Sequence, residues 1–139
     1  MASRGLEALA QVPLFSHLSR RELRKVLGVT EEYGYDADRV IAREGDAGEA
    51  FFVILEGEAR VVRRGKVVAK LLPGDFFGEI SLLDGGPRTA TVAAATPLRC
   101  LVLLGTDFRR LLLDDGRLGA KVLQETARRL RQIDRPLRG

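Results

Sequence analysis

Histidine and cysteine each occur once in this 139-residue chain, as His17 and Cys100, and tryptophan is absent. A metal centre of clustered imidazoles or thiolates therefore has no ligand set, and no histidine stands near Ser81 in sequence as a catalytic base. One cysteine excludes an internal disulfide and suits a reducing compartment. It lies inside the apolar run LRCLVLL (98–104), where a buried, inert thiol is expected rather than a nucleophile. Long hydrophobic runs are also missing. Nothing approaches the ~18–20 continuous apolar residues that cross a bilayer. The opening MASRGLEALAQVPLF is broken by Glu7 and Gln11 and makes a poor signal peptide. The expectation is a cytoplasmic protein with no membrane segment in this chain.

What is present fits one globular domain, residues 1–139. The chain is 45% hydrophobic and 30% charged, long enough to bury a core without staples. Its net charge of +4 raises the question of nucleic acid. The distribution argues against it. Residues 1–30 hold five basic and two acidic groups, residues 106–139 nine and five, and residues 31–105 nine basic against twelve acidic. The basic excess lies in the flanks, without the aromatic-rich basic strand that stacks bases, so no nucleic-acid partner is expected.

Along the chain the hydrophobic period changes twice. In PLFSHLSRRELRKVLGV (13–29), Ser19 and Glu22 have capping-box spacing, followed by Leu23, Val26 and Leu27 at helical intervals. A further short helix over 4–11 is possible on the same pattern. From residue 33 short β-rich runs take over: 39–42, 50–55, 59–62, 67–72, 89–94 and 98–104. Turn chemistry separates them, as in EGDAGE, RRGK, LPGD and DGGP. After Gly105 helical spacing returns. Thr106 is placed to cap one helix. Asp115 or Gly116 begins a longer one, with Leu118, Val122, Thr126, Leu130 and Ile133 on one face. The predicted fold is mainly β with flanking α: an antiparallel double-sheet β-roll, jelly-roll-like. N-terminal helices (1–30) precede the roll (31–105), and C-terminal helices (106–135) follow it.

One stretch resists this purely structural reading. In FFGEISLLDGGPRTATVAA (76–94) an acid, Glu79, and a single arginine, Arg88, sit among apolar residues, joined by a short helix and an Asp-Gly-Gly-Pro turn. A buried charge is costly unless it is paired or a ligand needs it. The short helix offers unpaired N–H groups to an anion, Gly78 permits close approach, and Arg88 carries a fork suited to phosphate oxygens. A carboxylate beside them makes sense if the ligand also presents a hydroxyl, as a ribose does. The alternative is a buried Glu79–Arg88 salt bridge.

Phe77, Gly78, Glu79, Ile80, Ser81, Leu82, Leu83, Pro87, Arg88, Thr89, Ala90, Thr91 and Val92 together resemble the phosphate-binding cassette (77–92) of the cyclic nucleotide-binding domain family. That family includes catabolite activator proteins, regulatory subunits of cyclic-nucleotide-dependent kinases, and cyclic-nucleotide-gated channels. EGD (44–46), AFFVILEGEARV (50–61), LPGDFFGE (72–79) and the leading PLFSHLSRRELRKV are similar to it as well. The resemblance implies a non-catalytic, ligand-responsive regulatory or sensor module for cAMP or cGMP, with no metal and no cofactor. Arg88 would pair with the cyclic phosphate and Glu79 with the ribose 2′-hydroxyl. Backbone N–H groups of Gly78, Ile80 and Ser81 would complete the cradle. Thr89 would lie beside the phosphate, within reach of a guanine amino group. Val68 and Phe77 are candidate pocket walls. Arg129, in the C-terminal helix, would either stack on the purine as that helix closes or stay solvated. An effector domain or partner protein is implied, so the chain is either a stand-alone sensor or a domain of a longer protein. The rivals are a roll that serves protein interaction and has lost nucleotide binding, and a cupin-type enzyme, for which one histidine is too few.

Overall fold

The computed structural model describes residues 2–79, Leu82 and residues 85–134. Helix α1 (Ala2–Ala10) and a 3₁₀ turn (Pro13–Phe15) lead into α2 (Arg20–Gly28). The capping box forms as expected. Glu22 N–H donates to Ser19 Oγ at 3.2 Å and Ser19 N–H donates to Glu22 Oε1 at 2.8 Å.

Eight strands follow: β1 (Thr30–Tyr35), β2 (Val40–Ala42), β3 (Ala50–Glu56), β4 (Ala59–Arg63), β5 (Lys66–Leu71), β6 (Phe76–Phe77), β7 (Thr91–Ala94) and β8 (Leu98–Leu104). They form two four-stranded antiparallel sheets, ordered β1-β8-β3-β6 and β2-β7-β4-β5. Helices α3 (Gly105–Asp114) and α4 (Gly116–Asp134) close the chain. This is the double-sheet roll with flanking helices that the sequence implies.

The apolar runs on β3 and β8 are continuous because both faces of their sheet are covered. Phe51, Val53, Leu101 and Leu103 point to one core, with Leu6, Leu9, Phe15, Val26, Phe108, Leu118 and Val122 of the helical layer. Phe52, Ile54, Cys100 and Val102 point the other way, to a second core with Ala42, Ala59, Val92 and Ala94 of the opposite sheet. Phe15 sits edge-on to both Phe51 and Phe108, at centroid distances of 6.1 and 5.7 Å. Cys100 is buried between the sheets, and desolvation pushes its thiol up to about 12.

Several boundaries differ from the sequence reading. Strand β1 starts at Thr30, inside the segment assigned to helix and its exit. Its sequence TEEYGY is mostly exposed on both faces, so an edge strand carries no apolar alternation to announce it. Strand β6 has two residues and is recognisable only by its pairing with β3. Thr89 and Ala90 form a bend, and β7 begins at Thr91. Helix α3 starts two residues early, at Gly105 with Leu104 at the cap position, so Thr106 does not cap it. Asp115 does cap α4, Oδ1 accepting from Leu118 N–H at 3.1 Å. On α4 the buried face is Leu118, Val122 and Glu125; Leu130 is exposed, and the Ile133 side chain lies outside the described residues.

Candidate functional site

Strand β6 runs directly into Gly78, whose φ of +86° belongs to the left-handed region. A β-carbon there would stand 2.5 Å from the Ala50 carbonyl oxygen and 2.6 Å from Arg88 Nη1. Only glycine lets the backbone turn here while the arginine lies against it. Beyond it Glu79 and Leu82 have helical backbone, with Leu82 N–H donating to the Gly78 carbonyl at 2.9 Å. Leu82 is fully buried in the helix-side core and anchors the segment. Ile80 and Ser81 lie outside the described residues.

The return segment is clamped by the loop after β2. Gly45 N–H donates to the Arg88 carbonyl and Arg88 N–H to the Asp46 carbonyl, both at 2.8 Å, while Gly48 N–H donates to the Gly86 carbonyl at 3.1 Å. The EGD segment therefore holds Arg88 by its backbone and leaves its side chain to point inward. There Nη2 donates to the Ala50 carbonyl at 2.9 Å, and the guanidinium carbon lies 5.7 Å from the Phe52 ring centroid. Nη1 is buried without a hydrogen-bond partner among the described residues. Burial lowers the Arg88 pKa from its ordinary value, but a guanidinium retains its charge.

Glu79 and Arg88 do not bridge each other. Glu79 Oε1 instead accepts from Arg129 Nη1 on α4, fifty positions away, and Glu79 Oε2 is buried without a partner among the described residues. The salt-bridge alternative for Glu79 and Arg88 is thus replaced by a different pairing.

These groups share a cavity of about 360 Å³. Phe77, Gly78, Glu79, Arg88, Thr89 and Arg129 all line it, with Ala42, Val61, Leu71 and Val92 forming apolar walls from the second sheet. Phe77 is stacked on Phe52, 4.5 Å between centroids, and so forms a rigid wall. Val68 is not brought to the cavity. It is the extra residue of a bulge, since Val62 pairs with Val67 and Val61 with Ala69, and it is 54% exposed on an edge strand. Among the charged lining residues, one escaped the sequence reading: Arg63, whose Nε donates to the Thr89 carbonyl at 3.2 Å. It resembled turn charge in RRGK, yet it shares its strand face with Ala59 and Val61, and that alternation was the available signal.

The inner cavity of this β-roll thus offers a desolvated guanidinium beside a glycine turn and a carboxylate oxygen without a partner among the described residues, the features of a small-ligand-binding domain. The family is shown by comparison. A model of the cyclic nucleotide-binding domain matches residues 34–115, and the chain belongs to that family. It is 39% identical over 105 residues to a cAMP-dependent protein kinase regulatory subunit of Schizosaccharomyces pombe, covering 75% of this chain and 26% of that protein. The chain thus spans about a quarter of that relative's length. Its fold matches the N-terminal domain of a transcriptional regulator from Streptomyces coelicolor A3(2), with a TM-score of 0.88, 30% identity and 94% of each chain covered. It is also similar to a triple mutant of the regulatory subunit of a cAMP-independent protein kinase A from Trypanosoma brucei, bound to cAMP in the A site. There the TM-score is 0.75 and the identity 28%, over 81% of this chain and 42% of that one.

Proposed function

We propose that the cavity binds a purine cyclic mononucleotide, cAMP or cGMP, and that residues 1–139 act as one non-catalytic sensor unit. The observation that carries this reading is the pair of buried polar atoms in one cavity, Arg88 Nη1 and Glu79 Oε2, that have no partner among the described residues. A buried polar atom left unmatched costs about 1–3 kcal/mol. One ligand with a phosphate and an adjacent ribose hydroxyl recovers both costs, the phosphate at Arg88 and the 2′-hydroxyl at Glu79. The cavity volume lies within the range of small-molecule sites, and its apolar walls suit a base. Arginines, one carboxylate and one threonine among apolar side chains support holding a ligand rather than making or breaking bonds in it. The kinase regulatory relative supports a regulatory role, with the signal passed to an effector domain or partner protein in the cytoplasm.

Arg129 has a definite part in this reading. By pairing with Oε1 it neutralises Glu79 and leaves Oε2 to accept from the ribose, and it ties α4 to the site. Calorimetric titration with cAMP and with cGMP tests the proposal. Micromolar or tighter binding of either supports it, and the comparison gives the base preference. Absence of heat with both in the folded protein would leave the interaction-module reading. A cycle with 2′-deoxy-cAMP and Glu79→Gln tests the assignment of Glu79. The deoxy analogue should bind the wild type distinctly worse and show little further penalty in the variant, because both changes remove one contact.

A further inference from the structure

Helix α4 has a second, unburied apolar edge. Opposite Leu118 and Val122, residues Ala120, Leu123, Ala127 and Leu130 recur at intervals of three and four, the spacing of a helix–helix seam. Leu123 is 70% and Leu130 61% exposed, and Leu113 at the end of α3 is 86% exposed. Scattered exposed leucines need no explanation, but these continue into a groove of about 490 Å³ between α3 and α4. Its walls are Leu112, Leu113, Gly116, Ala120 and Leu123, with Arg109 at one end. Gly119 forms the floor; a β-carbon there would stand 2.8 Å from the Leu112 carbonyl oxygen, so the two helices meet closely beneath it.

The charge along the α4 side of this edge is basic, while Arg109 at the groove's end is paired with Glu49 at 3.6 Å. Between residues 116 and 132 the only acid is Glu125, which is 2% exposed and held by Arg128 at 2.6 Å. Arg117 and Arg131 are exposed on α4, and Arg110 on α3. The neighbouring acids Asp114 and Asp115 line a different cleft, with Lys25 and Lys121. The geometry points to a docking site for an acidic amphipathic helix of a partner protein. Its leucines would enter the groove and the Leu123–Leu130 edge, and its flanking carboxylates would meet Arg117 and Arg131. A second copy docking through this same face would bring the same arginines and, between residues 116 and 132, only the buried Glu125 to pair with them.

The probe is a synthetic helical peptide with leucines at heptad positions and glutamates on both flanks; its control keeps the leucines and replaces the glutamates by lysines. With the full chain, fluorescence anisotropy should show the glutamate peptide binding at least tenfold tighter than the lysine peptide. Leu123→Asp and the double reversal Arg117→Glu with Arg131→Glu should each weaken it at least tenfold while leaving the melting curve unchanged. Amide NMR shifts should fall within residues 109–131. Equal binding of the two peptides, or binding that survives Leu123→Asp, would overturn the proposal. So would sedimentation showing a dimer of the chain that Leu123→Asp dissolves, which would assign the edge to a second copy. Capture of the protein by phosphatidylserine vesicles without peptide binding would assign it to lipid.

Discussion

Arg88 and Gly78 form one unit, because the arginine occupies the space that a side chain at residue 78 would take. Replacing Arg88 by alanine removes the charge-assisted donor aimed into the cavity, a contact of about 1.5–3 kcal/mol. Affinity for cyclic nucleotide should fall roughly tenfold to a hundredfold in calorimetry. The far-ultraviolet circular dichroism should stay that of the wild type, since the side chain makes one hydrogen bond to a carbonyl and no ion pair among the described residues. Gly78→Ala should act on both fold and site. The strained φ and the 2.5 Å approach to the Ala50 carbonyl destabilise the turn by about 1–3 kcal/mol, and Arg88 is displaced. A lower urea midpoint together with lost binding is the expected result. An alanine variant with wild-type affinity would refute the close packing of Arg88 on this turn.

Among the elements, α4 matters most to the site. Its first half is buried through Leu118 and Val122, and its second half reaches the cavity through Arg129. Arg129→Ala leaves Glu79 buried and uncompensated beside an incoming anion. Affinity should drop about tenfold, equivalent to about 1.4 kcal/mol. Arg129→Lys retains the charge and should recover most of the loss; if lysine proves no better than alanine, stacking on the base outweighs the pairing. Nucleotide that engages Glu79 also fixes the helix. Amide exchange across residues 116–132 should therefore slow at saturating nucleotide, and protection confined to the cassette would separate α4 from binding.

At the scale of the molecule, paired carboxylates brace the helical layer. Glu22 on α2 accepts from Lys121 on α4 at 2.7 Å, and this bond is the main cause that lowers its pKa below the ordinary 4.5. Glu125 is lowered chiefly by its bond from Arg128. Asp115, bonded by Lys25 at 2.6 Å, is lowered likewise. Each carboxyl binds its proton less readily when folded than when unfolded. Their stabilisation is complete above about pH 4.5–5 and is lost as pH falls through the depressed folded values. The melting temperature should be level above pH 5 and decline steadily below it. Glu22→Gln should lower the plateau and flatten the decline, since the variant has less to lose; an equal decline would show that other groups carry it.

Much of this was legible along the chain because its cause is local. The Ser19–Glu22 box, the Asp115 cap and the alternation of strands depend on neighbours within one turn or one pleat. The cassette is contiguous, so Gly78, Glu79, Arg88 and Thr89 could be named together, and the cavity joins them. What lay beyond reading depends on how separate elements meet. Arg129 meets Glu79 because the second half of α4 packs beside the cavity. Leu130 is exposed because it lies on a different face of α4 from Leu118 and Val122. Val68 stays out of the cavity because it is the extra residue of a bulge that shifts the register between β4 and β5. Sequence determined which residues could bind an anionic sugar. Only tertiary packing decided which second arginine shares the carboxylate, because that pairing is fixed by the meeting of a helix and a sheet and by no periodicity within either.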